Sequence, residues 1–249
     1  SISFAENNTS LVTTLTSSDA DAGDSATYSI SGMDVDDFSI GSSTGVLTFS
    51  STPDYENPAD SDADNTYVVM VTVTDSGLLT DTQNLSITVT NVSPTIYSLS
   101  STVPDGYYGI GEVIPITINF DEIITTIGTP QLTLETGITD AVVDYTSGSG
   151  STTLTFDYIV ASGHKSNDLD YASSTALALN GGTIQDDAGK SAILTLPDVG
   201  DSESLGGNKN IIAKINNKKI STQDFMEHIK RLNINEDLIR QKLDQGILE

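Results

Sequence analysis

Residues 53–65 read PDYENPADSDADN and set five carboxylates, Asp54, Glu56, Asp60, Asp62 and Asp64, within thirteen positions. Acids at that density repel one another unless a cation neutralises them. Hard oxygen donors gathered in a loop suit calcium, which accepts roughly six to eight of them in flexible geometry. Further acids punctuate the same region: Glu6 in AEN, Asp19, Asp21 and Asp24 in DADAGD, and Asp75 at the end of VMVTVTD. The alternation Asp60, Asp62, Asp64 is how an EF-hand loop begins. Its sixth position, however, is Asn65 rather than Gly, and its twelfth is Val71 rather than a bidentate Glu, so the loop does not complete that pattern.

Catalytic chemistry has little to work with. Cysteine and tryptophan are absent, the histidines are His164 and His228, and nothing reads as a nucleophile elbow, a zinc triad or a phosphate loop. Paired carboxylates are plentiful enough for glycoside hydrolysis, but no Trp is present to stack a sugar, and the acids gather where cation ligands would. The expectation is a binding or structural module, not an enzyme. The formal charge of −25 excludes nucleic acid as a partner, because no basic surface exists to displace counterions from phosphates. Without cysteine there are no disulfides, and a bound cation is the natural substitute staple for an extracellular β protein.

The elements that must hold these acids are strands. Apolar and polar residues alternate over 2–5, 11–17, 26–31, 38–40, 46–49, 67–74 and 84–90; in the last, Leu85, Ile87 and Val89 share one face. Seven such runs predict an antiparallel sandwich over 1–92. A second series follows Pro94, with Ile114, Ile116, Ile118 and Phe120, then Leu132 and Leu134, then Leu154, Phe156, Tyr158 and Val160, and predicts a larger sandwich over 93–213. Asp168, Asp170, Asp186 and Asp187 are a lesser candidate for a further cation group in that half. Charge and pattern both change near residue 209: residues 1–208 carry 29 acids and two bases, residues 209–249 six acids and eight bases. There Phe225, Ile229 and Leu232, then Ile239, Leu243 and Ile247, predict two amphipathic helices in a tail over 214–249. No leader and no apolar run of membrane-spanning length is expected, and Ser1 reads as the middle of something longer.

Taken together, AEN, DADAGD, the FSIGSSTGVLTF hairpin, PDYE, VMVTVTD and ITVTNV resemble a cadherin-type repeat over nearly all of 1–92. The resemblance implies calcium ligands in two groups: Glu6, Asp54 and Glu56 at the end facing the following domain, and Asp19, Asp21 and Asp75 at the opposite end. It departs from the family at the linker, which reads TVTNVSPT with Asn91 alone in place of a DxNDN motif. Ligands within 1–92 are therefore expected to matter more than a bridging site. The run of YGIGEVIPITINFDE, GTPQLTLETG, YTSGSGSTTLTFDYIV and SLGGNKNI resembles an Ig-like repeat of large bacterial surface proteins, which implies a stacked extender. KINNKKISTQDF resembles the helical segment preceding parvulin-type peptidyl-prolyl isomerase domains in secreted foldases; the isomerase domain itself is not in the sequence. The combined expectation is an all-β pair of tandem sandwiches with a short helical tail: a calcium-rigidified segment of a bacterial cell-surface or secreted adhesin, joined to neighbouring repeats of the same polypeptide. The alternative is a carbohydrate- or protein-binding domain using Tyr107 and Tyr108 to engage surface glycans or proteins.

Overall fold

The computed structural model describes residues 1–18 and 25–213. Asp19, Asp21 and the expected helices of 214–249 lie outside the described residues. Among the described residues the regular structure is almost entirely β, as the alternating pattern requires.

Seven strands build the first half: β1 (Ile2–Ala5), β2 (Thr13–Thr14), β3 (Thr27–Ser31), β4 (Phe38–Ile40), β5 (Val46–Phe49), β6 (Thr66–Thr74) and β7 (Thr80–Thr90). They form one sheet in the order β1-β7-β6-β3 and a facing one in the order β2-β5-β4. Tyr67, Val69 and Val71 are buried while Val68 and Met70, between them, are exposed, the period of two expected of a half-buried strand. Between the sheets Phe4, Phe38, Phe49 and Tyr67 pack with ring centroids 4.5–5.8 Å apart, around Leu47, Ile87 and Val89. Two details differ from the sequence expectation. The second strand is only two residues long, and β7 starts at Thr80, because the polar segment DTQ pairs with β6 through its backbone, closing a hairpin at Thr74 and Thr80.

The second half comprises β8 (Ile96–Ser101), β9 (Gly106–Tyr108), β10 (Val113–Ile127), β11 (Gln131–Glu135), β12 (Ala141–Ser147), β13 (Ser151–Ile159), β14 (Asp170–Tyr171), β15 (Leu177–Ala178), β16 (Thr183–Gln185) and β17 (Ile211–Ala213), with a one-turn helix α1 (Leu205–Asn208) capped by Ser204. The long strand β10 serves two groups. Its first part pairs with β8 and β13, its last three residues with β16, and the register shifts between them around residues 119–124. A separate core, including Ile114, Ile116, Ile118, Phe120, Leu154, Phe156 and Tyr158, fills this half.

Two pairings between these strands are parallel rather than antiparallel, β1 with β7 and β17 with β9, as is the isolated bridge between Thr95 and Ile193. The first is decisive for function. It sets the end of β1 beside the exit of β7, so Glu6 and the connection from Asn91 to Thr95 start from the same point.

Candidate cation site at the joint of the two sandwiches

Glu6 follows directly on β1, and its backbone N–H donates to the Thr90 carbonyl at 3.1 Å. The side chain is 3% exposed. One carboxylate oxygen accepts from the Tyr55 N–H and the other from the Val92 N–H, each at 2.7 Å. Glu6 thus ties the 53–56 loop to the connection while lying under both. Glu56 comes from that loop and accepts from Asn91 Nδ2 at 2.8 Å.

The second half contributes Glu122, from the stretch of β10 where the register shifts. A bulge re-aims the side chains around it, and Glu122 faces the other sandwich, accepting from Asn7 Nδ2 at 2.5 Å. Carboxylate oxygens of Glu6, Glu56 and Glu122 lie within 4.8 Å of one another. Asp186, 1% exposed, follows β16 and acts on the same group electrostatically. Its Oδ1 accepts from the Lys190 N–H at 2.7 Å. Lys190 reaches the joint, and its ammonium donates to the Asn91 carbonyl at 2.6 Å. The connection is pinned to the second sandwich as well: Asp121 accepts from the Thr95 N–H and hydroxyl, and the Ile193 N–H donates to the Pro94 carbonyl.

Crowding and burial show in the protonation of these groups. Burial, then Glu6 and Asp186, push the Glu56 carboxyl up to about 7. Burial, then Glu6, Asp121, Glu56 and Asp186, push Glu122 to about 7 as well. Three buried oxygens of these residues have no hydrogen-bond partner: Glu122 Oε2, Asp186 Oδ2 and Asn91 Oδ1. Unsatisfied acceptors in a concentration of buried negative charge cost about 1–3 kcal/mol each, and more where charged. An oxygen-preferring cation at this point satisfies the acceptors and offsets the repulsion together. The three converging carboxylates, with Asp186 adding charge nearby, form a hard and irregular donor set, which suits calcium better than an ion demanding strict octahedral geometry.

The residues singled out in the sequence divide between this joint and elsewhere. Glu6 and Glu56 are brought together. Asp54 is exposed, and its Oδ1 caps the turn by accepting from the Glu56 and Asn57 N–H groups at 3.0 Å. Asp75 closes the β6–β7 turn, accepting from the Leu79 N–H at 2.7 Å. Asp170 takes hydrogen bonds from Ser204, Gly200 and the Tyr171 N–H, holding α1 in place. Asp187 accepts from Thr125 on the surface. Sequence reasoning did not single out Glu122, and it grouped Asp186 with Asp168, Asp170 and Asp187 rather than with Glu6 and Glu56. The signal available was NFDE on a strand of otherwise alternating pattern, two consecutive acids where one inward residue was due.

His164 stacks on Tyr158 and shares a 3.0 Å hydrogen bond with its hydroxyl, while the hydroxyl of Tyr108 donates to the Pro104 carbonyl. Tyr107 and Tyr108 are both half-buried in β9. Among the described residues no helix is long and apolar enough to cross a membrane.

Residues 1–90 match the family described as Cadherin domain. Cadherin domains are extracellular adhesion modules, not enzymes. No curated protein matches the chain. Solved structures similar to it include extracellular cadherin domains 3-6 of protocadherin gamma B2 (15% identity, TM-score 0.30, covering 64% of this chain and 36% of that one). Others are EC1-4 of Drosophila N-cadherin (16%, 0.31, 86% and 47%) and EC1-2 of human protocadherin-24 (15%, 0.33, 88% and 94%). The chain spans about a third of the first of these.

Proposed function

We propose that this chain is a calcium-rigidified segment of an extracellular adhesin of the bacterial surface type, in which residues 1–92 form the calcium-binding sandwich and residues 93–213 an Ig-like extender. The observation that carries the reading is the joint itself: Glu6 and Glu56 from one sandwich, Glu122 and Asp186 from the other, and Asn91 between them, with three buried oxygens lacking partners. These five residues are the ones that would hold the ion. The calcium supplies positive charge shared by both halves. Without it, the carboxylates push the halves apart; with it, moving one half against the other breaks ligand contacts, so the joint stiffens. The function is mechanical: holding neighbouring repeats in line so that a distal part of the same polypeptide is presented away from the cell.

The departure from the family's linker supports this arrangement. Where a DxNDN linker would supply carboxylates, this chain has Asn91 alone, and Glu122 and Asp186 supply the missing charge from the second sandwich. Extracellular calcium modules bind at roughly 10⁻⁴ to 10⁻³ M, so occupancy tracks the calcium outside the cell. Calcium in that range is expected to raise the thermal midpoint of the full chain and to slow proteolysis at residues 91–95. If both are the same in calcium and in chelator, the reading fails.

A further inference from the structure

The Asp-rich half of the 53–65 loop takes no part in the joint. Carboxylate oxygens of Asp60, Asp62 and Asp64 lie within 4.8 Å of one another, in a cluster sharing no residue with the Glu6 group. Asp62 and Asp64 are exposed, whereas Asp60 is 5% exposed. One of its oxygens accepts from the Asp64 N–H at 2.9 Å; the other, Oδ1, is buried and has no hydrogen-bond partner. A chain that buries a carboxylate oxygen among like charges leaves a large cost uncompensated unless a ligand meets it.

The surroundings offer no internal remedy. No lysine or arginine precedes Lys165 in the sequence, so no side-chain cation from the first sandwich can neutralise the loop. Neighbouring acids add to the field. Asp34, 4% exposed, anchors the loop by accepting from the Ser61 N–H at 2.9 Å and the Val68 N–H at 2.7 Å. Burial alone would raise its carboxyl, but those hydrogen bonds outweigh burial and hold it below its usual value, so it stays ionised. Asp37 is raised by burial and then by Asp34, Asp36 and Asp60. The exposed pair completes the picture: Asp64 orders the loop by accepting from the Thr66 N–H at 2.7 Å, and the Asp62 carboxyl, open to solvent, is raised by Asp64 and by its contact with Asp60.

We propose that Asp60, Asp62 and Asp64 form a second divalent-cation site, taking calcium, independent of the joint. Asp60 provides the fixed buried oxygen, Asp62 and Asp64 the outer ones, and water completes the shell. The site would brace the entry to β6 within the first sandwich, a local role distinct from alignment of the two halves.

Backbone amide shifts of the full chain titrated with calcium chloride test the site. The amides of residues 61–66 should move and saturate within about 10 mM calcium, the weak end of such modules. They should move equally in Glu122→Gln, which removes a joint ligand. They should stay still in Asp62→Asn/Asp64→Asn, where each side chain keeps an oxygen acceptor and lies on the surface. Asp62→Asn alone, which disturbs the loop least, should weaken the response on the order of 10-fold. Amides that do not move in the unsubstituted chain, that move equally in the double variant, or that lose their response in Glu122→Gln would overturn the proposal. Loss of the joint's own response in Glu122→Gln with residues 61–66 still titrating separates the two sites; a joint that never responds while 61–66 do sinks the adhesin reading and leaves this one standing.

Discussion

Glu122 is the residue on which the joint turns, because it is the carboxylate from the second sandwich that comes within 4.8 Å of both Glu6 and Glu56. In the proposed function, replacing it with Gln removes a charged ligand and should weaken calcium at the joint on the order of 10-fold, since affinity in such sites follows the number of charged ligands. The same change relieves repulsion, so the calcium-free protein should melt at a higher temperature than the unsubstituted one at pH 8. Differential scanning in calcium and in chelator checks both signs. Protonation gives an independent test. Burial and the neighbouring acids push Glu56 and Glu122 up to about 7 when folded, against an ordinary 4.5 when unfolded, so between those values the folded state binds more protons than the unfolded. Stability of the calcium-free chain therefore falls as pH rises from about 5 to about 7.5. Calcium must displace those protons, so its affinity should fall as pH drops through 7. Calorimetric titration across that range reads the slope directly.

At the scale of elements, the alternating runs made the strands and both cores visible before any coordinates, because one buried face imposes a period of two. Leu47, Tyr67 and Ile87 in the first core and Ile116, Leu154 and Phe156 in the second are all residues that the pattern points inward. Part of the candidate site stood out in the sequence: Glu6 and Glu56 are acids beside the ends of strands, and the fold brings them together. What stayed hidden depends on pairing. The parallel alignment of β1 with β7 puts Glu6 beside Asn91, and the register shift in β10 turns Glu122 toward the first sandwich; neither is a property of any local window of sequence. The helical tail falls outside the described residues. Separation of the cores makes a prediction of its own. Leu47→Ala empties a fully buried position in the first core and should cost about 2–5 kcal/mol there. In chelator the unfolding curve should split, with the transition of the first sandwich moving down and that of the second unchanged. A single transition shifted as a whole would mean that the halves unfold together.

At the scale of the whole molecule, a charge of −25 on a chain without disulfides is a liability unless the environment supplies counter-charge. In the proposed function calcium takes that task at two places, one stapling a loop and one stapling the joint, and the second gives the joint its stiffness. The absence of cysteine makes stiffness directly measurable, since labels can be attached at introduced cysteines alone. Thr82→Cys in the first sandwich and Ile138→Cys in the second are exposed positions that face no ligand. Spin labels at these two sites, read by pulsed electron resonance, give the distribution of distances between the halves. Calcium should narrow that distribution, chelator should broaden it, and in Glu122→Gln the narrowing should need about 10-fold more calcium. A distribution equally wide with and without calcium would contradict the account.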